Sequence, residues 1–447
     1  MVDEAHAYDA YMSCELERLL EFQASQGGSA IVLSATLPRT VRERLAAAFA
    51  KGLGRPAPAL AADAYPLVSI VAADRAQEEA KEPRPDLRRS VGIERLPQEA
   101  AAISVIAEAA AAGAAVAWVR NSVDDAFDGV ARLRAAGVAA DLFHARFAIG
   151  DRLALERQIV ARFGKGDPSD RPGVLVATQV IEQSLDLDFD LLVSDLAPVD
   201  LLLQRAGRLW RHPERRRPVP GPRLLVVAPE PAAEIGKDWY AAAFPRAAWV
   251  YRNHALLWLS ARALLGYASV RVPEDVRVLV EAVYGREAEG AFPPALERNW
   301  IEAEGGASAA RAIAQVNLLS VSKGYGGSAD HSGWDVDTRT PTRLGEDMTT
   351  LRLARVEGDR IVPWCSDPDP HRAWALSEVA VRRSRVTDVS EPAGAAALRR
   401  RQWTRYDELK KLLLLTERQP GVWGGTVIGR DGEAAMTYTC REGLRFG

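Results

Sequence analysis

The residues Met1-Val-Asp-Glu-Ala-His6 place two adjacent acids and a histidine after what reads as the end of a strand. A nucleotide-hydrolysing motor needs one carboxylate to hold Mg²⁺ through water and a second carboxylate to orient the attacking water. Asp3 and Glu4 supply both, and His6 is placed to sense the γ-phosphate or a neighbouring motif. The alternative for so short a match is a solvated acidic loop.

A second polar cluster, Ser34-Ala-Thr36, follows the apolar run Ala30-Ile-Val-Leu33. Such a run is typical of a buried parallel strand. The two hydroxyls can connect a nucleotide site to the domain hinge through hydrogen bonds. The alternative is that Ser34, Thr36 or Thr40 caps the helix that follows.

The largest cluster is Gln204-Arg-Ala-Gly-Arg-Leu-Trp-Arg211, on a helix predicted from Val199 to Arg211. Arg208 and Arg211 are three residues apart, so we expect them to project from one helix face. Two planar guanidinium groups suit a polyanionic phosphate better than lysines do. The alternative, a solvated basic face, explains poorly the apolar residues 201–203 beside it. The spacing therefore favours a phosphate-binding function.

Two further strand ends carry polar residues. Thr178 can hydrogen-bond a nucleic-acid phosphate, and Asp186 can contact a nucleotide ribose or simply cap a turn. Phosphate contacts position a strand without reading its sequence, as a translocating motor requires. His144 and Arg146 are predicted to be further contacts with the nucleic-acid backbone, although a lone histidine at a strand end is more often structural.

The elements that must position these clusters alternate regularly between about Gln98 and Pro229. Short apolar runs and helical segments succeed one another, which indicates a parallel sheet covered on both faces. Function collects at the C-terminal ends of strands in such sheets, where these clusters fall. The chain from 51 to 97 is rich in proline, alanine and charge and is predicted to be linker-like. Within the regular alternation a strand is predicted at 114–119 and a helix at 149–163. Nearer the C-terminus a helix is predicted at 400–415 and a hairpin at 425–438.

Composition limits the possible partners. Fifty-seven basic residues against sixty acidic ones give a net charge of −3, so any nucleic-acid binding must use a local groove. The three cysteines are far apart, which predicts neither a zinc site nor a disulfide framework and fits a reducing cytosol. The acids near Met1 argue against a signal peptide, and residues 100–119 indicate a helix and a strand rather than a membrane span. We expect a soluble, cytoplasmic protein with no membrane partner.

The order of these motifs is that of superfamily 2 helicases. In detail the chain resembles the helicase–nuclease of type I CRISPR interference, which the Cascade surveillance complex recruits. The resemblance is carried by DEAHAYDAY at 3–11, LFHARF at 142–147, ATQVIEQSLDLD at 177–188 and LQRAGRLWRH at 203–212, and it extends to Glu281–Tyr284 and Thr342–Glu346.

This resemblance implies an α/β fold with four parts. Residues 1–95 would be the C-terminal part of a first RecA-like lobe, and 96–235 a complete second RecA-like lobe. A helical linker at 236–323 and a mixed α+β C-terminal domain at 324–447 would follow.

The resemblance also implies ATP and Mg²⁺ as cofactors, with single-stranded DNA and a Cascade-type complex as partners. Asp3 would hold Mg²⁺ and Glu4 would activate water, while Ser34 and Thr36 would couple hydrolysis to movement. Arg208 and Arg211 would be arginine fingers. The implied ATP-binding residues are Asp3, Glu4, His6, Asp186, Gln204, Arg208 and Arg211, and the implied DNA-backbone residues are Thr178, His144 and Arg146.

The sequence departs from the family pattern in two ways. No GxxxxGK[ST] phosphate loop occurs in the 447 residues, and none of the six histidines is followed by aspartate. We therefore predict no appreciable ATPase, helicase or nuclease activity for this chain alone, and an exposed sheet edge in residues 1–95. An upstream-encoded N-terminal half would supply the loop and the nuclease domain. The alternatives are a non-catalytic DNA-binding or Cascade-docking module, or a superfamily 2 helicase of repair or RNA metabolism.

Overall fold

The computed structural model describes residues 1–85, 88–165, 172–182, 185–212, 215–318, 348–404, 407, 409–430 and 432–447. The chain forms two compact units, each built from segments that are distant in sequence. Unit 1 contains Met1–Ala102, Leu192–Pro213 and Pro220–Gly345, and unit 2 contains Ile103–Leu191, Glu214–Val219 and Glu346–Gly447. The division into four domains stays a prediction. The motif at 342–346 and the start of the predicted C-terminal domain at 324 lie outside the described residues.

The helices and strands are numbered in chain order. The helices are α1 Ala10–Ser25, α2 Arg39–Gly52, α3 Glu99–Ala111, α4 Val123–Ala135, α5 Ile149–Phe163, α6 Val199–Ala206, α7 Trp239–Ala243, α8 His254–Leu265, α9 Val276–Tyr284, α10 Glu297–Asn317, α11 Pro370–Leu376 and α12 Ala395–Gln402. The strands are β1 Leu67–Val71, β2 Ala76–Ala80, β3 Arg89–Leu96, β4 Ala115–Val119, β5 Ala140–Phe143, β6 Gly173–Ala177, β7 Leu191–Asp195, β8 Arg223–Val227, β9 Ser269–Val272, β10 Met348–Glu357, β11 Arg360–Pro363, β12 Glu378–Arg382, β13 Asp388–Val389, β14 Lys411–Leu414, β15 Thr416–Gln419, β16 Val422–Gly429, β17 Gly432–Thr439 and β18 Gly443–Phe446.

The predicted buried strand at 30–33 is wrong. The structure has one parallel bridge between Val2 and Val32 there, with Val2 N–H donating to the Ile31 carbonyl (2.8 Å) and Leu33 N–H to that of Val2 (2.9 Å). Ile31 is 58% exposed and Leu33 44%, because a strand buries both faces only when layers pack on each side. The apolar core beside this bridge lies between α1 and α2, and it contains Leu16, Leu20 and Leu45.

The stretch predicted to be linker-like contains three strands instead. β1 and β2 form an antiparallel hairpin, and β3 pairs in parallel with β8 and antiparallel with β9. Composition misleads here because β2 has the sequence AQEEA and most of its side chains are exposed, so its polar residues do not report burial. Glu78 of this hairpin is fixed by the backbone N–H groups of Ala61 and Ala62 and by Arg42.

The predicted α/β class is confirmed in both units. In unit 2 the three parallel strands follow the order β5-β6-β4, and every residue of β4 is buried. In unit 1 the order is β7-β8-β3-β9, with residues 192–195 of β7 in this unit. The RecA-like lobe organisation stays a prediction. None of the described helices is both long and apolar enough to span a bilayer.

The C-terminal segment of unit 2 is mostly strand. β10 pairs with β11, β12 and β14, while β13, β15 and β17 pair with β16, and β18 with β17. The predicted hairpin at 425–438 is confirmed by β16 and β17, but the helix predicted at 400–415 is wrong. The observed helix α12 ends at Gln402. Residues Lys411–Leu414 form strand β14, which runs parallel to β10, because its leucines fill buried positions in the sheet.

Tyr438 joins this segment to the start of α5 within unit 2. Its hydroxyl donates to Asp151 Oδ2 (2.6 Å) and accepts the N–H of Ala148 (2.9 Å). Trp364 Nε1 donates to the same carboxylate oxygen (2.8 Å), and its ring meets that of Tyr438 edge-on. Burial raises the pKa of the Tyr438 phenol, so the hydroxyl keeps its proton. This buried hydrogen-bond network fixes the last hairpin to the helix.

Candidate functional site

The acidic loop of unit 1 has strained backbone geometry. Asp3 Oδ1 accepts the N–H of Glu4 (2.8 Å), and Glu4 lies in the left-handed region at φ 53°, ψ 39°. That conformation costs a non-glycine residue on the order of 1–2 kcal/mol, and such residues cluster at functional sites. The Glu4 side chain is 49% exposed, so its carboxylate is accessible to a ligand.

His6 connects this loop to the SAT cluster. Its ring is almost completely buried, with Nδ1 3.0 Å from Ser34 Oγ and Nε2 3.2 Å from Glu4 Oε2. One ring nitrogen therefore faces a hydroxyl of the SAT cluster, and the other faces a carboxylate of the acidic loop. The SAT cluster is therefore the motif that His6 contacts. A sensing role for His6, towards this motif or towards the γ-phosphate, stays a prediction.

The capping alternative for the SAT cluster is wrong. The N-cap of α2 is Pro38, and no side chain of its own segment caps the helix. The N–H of Arg39 donates instead to Glu281 Oε1 of α9 (2.8 Å). Thr36 is buried, and its hydroxyl has no hydrogen-bond partner among the residues that the structure describes.

The arginine-bearing segment departs from its predicted helix. α6 ends at Ala206 with Gly207 as its C-cap, and Trp210 has φ 48°, which turns the chain. Arg208 is buried and Arg211 is exposed. The prediction that these two arginines share one helix face is therefore corrected, because the helix stops before either of them.

Sequence reasoning missed the structural role of Arg205, which lies inside the same motif. Its side chain is completely buried, with Nη1 donating to Ser194 Oγ (2.6 Å) and to the Asp195 carbonyl (3.2 Å). Arg205 thus fixes α6 to the end of β7. Its position three residues after Leu202 on the apolar face of α6 is the signal that could have indicated burial.

Asp200 in the first turn of α6 was also missed. Its Oδ1 accepts the hydroxyl proton of Tyr284 (2.5 Å). Burial raises the pKa of the Asp200 carboxyl, and the hydrogen bond from Tyr284 and the charge of His6 oppose that rise. Further along α6, the Gln204 side-chain nitrogen is buried without a hydrogen-bond partner among the described residues.

In unit 2, Thr178 and Asp186 stand at the two ends of one loop. Thr178 is buried at the end of β6, and its N–H donates to the Phe143 carbonyl (3.1 Å). Asp186 is exposed. Their contacts with DNA and ribose stay predictions. Residues 183 and 184 of this loop lie outside the described part of the chain.

The structure contradicts the predicted contact of His144 with nucleic acid. The ring is completely buried and stacks on Phe147, with centroids 4.7 Å apart. Nδ1 accepts the N–H of Arg146 (3.0 Å), and Nε2 lies 3.0 Å from the Glu442 carbonyl. Burial lowers the pKa of His144 to about 3, so the ring is neutral. His144 therefore has no surface to offer a phosphate.

Arg146 is engaged within unit 2 as well. Its Nη1 donates to Asp124 Oδ1 (2.6 Å), and its guanidinium lies 5.3 Å from the ring centroid of Phe446. A DNA contact by Arg146 stays a prediction, and it would have to compete with this ion pair.

Asp3 remains the candidate ligand for Mg²⁺. Among the described residues there is no group of three or more histidine, cysteine or acidic side chains that could hold a metal ion. Mg²⁺ in nucleotide sites is bound by one or two carboxylates, the phosphates and several waters. The exposed Asp3 and Glu4 fit a site that phosphates and water complete. They do not fit a closed cage made of protein ligands alone.

Comparisons with known proteins agree with this motif set. A family model described as CRISPR-associated nuclease/helicase Cas3, C-terminal, matches residues 112–214. The chain is 36% identical over 341 residues to CRISPR-associated endonuclease/helicase Cas3 of Thermus thermophilus, covering 66% of this chain and 35% of that protein. It is 34% identical over 301 residues to the protein of that name from Escherichia coli, covering 64% and 32%. The alignments span about a third of the length of these curated relatives.

Solved structures of other proteins match this chain over its full length. The crystal structure of T. fusca Cas3-AMPPNP has a TM-score of 0.75 at 26% identity and covers 100% of this chain and 53% of that chain. A chain in the structure of a CRISPR RNA-guided surveillance complex, pre-nicking, has a TM-score of 0.72 at 25% identity, covering 100% and 56%.

The α/β units and their DEAH, SAT and QRxGR motifs are those of a helicase-type protein. The chain belongs to the Cas3 family of CRISPR-associated nuclease/helicases and corresponds to the C-terminal portion of its members. The resemblance inferred from the motifs is thereby confirmed.

Proposed function

We propose that this chain is the C-terminal portion of an ATP-dependent translocase that moves along single-stranded DNA in type I CRISPR interference. The observation that carries the proposal is the hydrogen-bonded group of Glu4, His6 and Ser34. A coupled motor must link the carboxylate that handles water to a segment that moves. His6 makes that link through one buried ring.

The chemistry of ATP hydrolysis assigns a role to each side chain. Glu4 orients the water that attacks the γ-phosphate, since its carboxylate is exposed and its backbone is held in a left-handed turn. Asp3 would hold Mg²⁺ through water, and the ion would neutralise charge on the phosphates. Arg208 and Arg211 would stabilise the charge that builds up in the transition state. The exposed Asp186 would contact the ribose.

The nucleotide assignment has support from relatives. T. fusca Cas3 has been solved as complexes named with AMPPNP, ADP and ATP, each matching this chain over its full length. The 447 residues contain no GxxxxGK[ST] loop. We therefore propose that turnover requires a polypeptide segment with that loop and that this chain alone does not hydrolyse ATP.

The proposed partners follow from the same relatives. The match to a chain of a CRISPR RNA-guided surveillance complex supports docking to a Cascade-type assembly. Single-stranded DNA would be the track, with Thr178 as a backbone contact. A segment that contains the phosphate loop would complete the ATP site.

The arginine assignment is tested by Arg208→Ala in a preparation where this chain is joined or mixed with the loop-bearing segment. We expect DNA-stimulated ATP turnover to fall by on the order of 10³–10⁵, about 4–7 kcal/mol of transition-state stabilisation. Arg298→Ala removes an arginine whose side chain is 91% exposed and is the matched control. A near-normal rate for Arg208→Ala would refute the arginine-finger role. DNA binding without any turnover by the wild type would favour a non-catalytic module.

A further inference from the structure

One face of α9 carries three polar side chains that have been assigned no part in binding ATP or DNA. Arg277, Glu281 and Tyr284 are spaced by four and three residues, so they project from the same side of the helix. The opposite face packs in the core of unit 1 through Val276, Leu279, Val280 and Val283. Because apolar packing already anchors the helix, the three polar side chains can have a role other than holding α9 in place.

The first contact of this face is with the segment that follows the SAT cluster. Arg277 Nη1 donates to the Leu37 carbonyl (2.8 Å) and to Glu281 Oε1 (3.1 Å). The same Glu281 oxygen accepts the N–H of Arg39 (2.8 Å) at the first residue of α2. A carboxylate at a helix N-terminus is stabilised by the free N–H groups and the helix dipole. Glu281 thus caps α2 from a position 242 residues away.

The second contact is with the helix that leads to the arginine-bearing segment. Tyr284 donates its hydroxyl proton to Asp200 Oδ1 in the first turn of α6 (2.5 Å). Burial and the nearby Asp200 charge raise the pKa of Tyr284 well above its usual value, so the phenol stays protonated and remains a donor. Asp200 precedes Gln204 by one helical turn on α6.

We propose that α9 couples the SAT segment to α6, with Glu281 and Tyr284 as positioning residues. The two contacts lie less than one helical turn apart on α9. A shift of α2 therefore displaces the first turn of α6, and the reverse also holds. The proposal rests on the proposed ATP-driven function for its purpose, but the mechanical link can be measured without ATP.

The link is tested by hydrogen–deuterium exchange on this full chain. Tyr284→Phe keeps the ring and removes only the hydroxyl, and Glu281→Gln keeps the shape and removes the charge. We expect Tyr284→Phe to speed exchange about 10-fold in the first turn of α6 and also at the start of α2, with Glu281→Gln acting on both segments too. If each variant speeds exchange only at the segment it touches, α9 is a passive support and the proposal is wrong.

Arg286→Gln is the matched control. Arg286 follows α9 and pairs with Glu43 of α2 (2.8 Å), but its side chain is 81% exposed. An exposed ion pair contributes little, so we expect no change in exchange in either helix. An equal effect of Arg286→Gln would show that any lost contact loosens this region.

ATP turnover gives a second readout in the preparation that contains the loop-bearing segment. Since Tyr284 is assigned no contact with nucleotide, Tyr284→Phe should lower kcat about 10-fold and leave KM for ATP within about 2-fold. Unchanged kcat beside an active wild type would contradict the coupling. An inactive wild type would contradict the proposed function, and the exchange experiment would still decide the mechanical link.

Discussion

Two histidines at predicted strand ends have opposite surroundings. His6 in unit 1 contacts two side chains, Ser34 and Glu4, that belong to separate motifs. His144 in unit 2 contacts two main-chain groups and two aromatic rings, and its pKa is lowered to about 3. Both rings are buried, so burial does not distinguish them. The kind of partner distinguishes the two rings. Side chains from two motifs around His6 indicate a functional site, whereas backbone groups around His144 indicate a structural role.

The comparison between His6 and His144 predicts that Glu4→Gln has the largest effect on ATP turnover. The substitution removes the charge that orients water, so ATP turnover with the loop-bearing segment should fall by at least about 10³-fold. The side chain is exposed, and the free energy of unfolding should change by less than about 0.5 kcal/mol. Turnover and urea unfolding measured on one preparation check both. Glu82→Gln, at a side chain that is 91% exposed, is the control. Steady turnover by the variant would remove the acidic loop from the mechanism.

His144→Gln should show the reverse pattern. It breaks the ring packing and the bonds to the Arg146 N–H and the Glu442 carbonyl in a fully buried place. We expect a loss of about 3 kcal/mol in the free energy of unfolding, measured with urea. DNA binding per folded molecule should be unchanged. A stable variant with weakened DNA affinity would restore the nucleic-acid role that the structure contradicts.

His6→Asn should have an intermediate effect on turnover. The amide can replace only part of the link between Glu4 and Ser34, so kcat should fall about 10- to 100-fold. Stability should decrease by about 1 kcal/mol, because two hydrogen-bonding contacts are weakened. Single-turnover ATP hydrolysis separates the chemical step from product release. Normal kcat with lost stability would place His6 in the same class as His144.

The smallest effect is the pH dependence that His144 adds to stability. Its folded-state pKa of about 3 lies below the ordinary value of 6.5, so the unfolded chain binds a proton first as the pH falls. Stability from this group is present above pH 6.5 and is lost as the pH falls toward 3, by roughly 1 kcal/mol per pH unit. Urea unfolding at pH 7 and pH 5 should therefore show a smaller loss for His144→Gln than for the wild type. Equal losses would contradict a neutral buried ring.

Local periodicity was enough to predict much of the fold. The helix predicted at 149–163 has the bounds Ile149–Phe163 in the structure, and strand β4 differs from its prediction by one residue. Such elements are recognisable because their apolar spacing matches their burial. The hairpin at 67–80 was not recognised, because its second strand, with the sequence AQEEA, is mostly exposed and polar.

The site was predictable only where one motif is contiguous in sequence. The acidic loop and the SAT cluster could be found by residue type, and their link through His6 was anticipated in kind. The contact between Asp200 and Tyr284 could not be found, because it joins segments that are distant in sequence. The end of α6 was misplaced in the prediction. Trp210, beyond the helix, has a positive φ, and tryptophan is not a residue type that favours such a turn.

The hydrogen bond from the Ala148 N–H to the Tyr438 hydroxyl joins residues that are 290 positions apart. A core with that contact order cannot close until nearly the whole chain has emerged from the ribosome, which takes about 15–60 s after Ala148 is made. During that interval, Ala148 lacks the C-terminal side chains that it packs against in the folded chain. Synthesis rate and chaperone supply should therefore govern the yield of unit 2 more strongly than its final stability does.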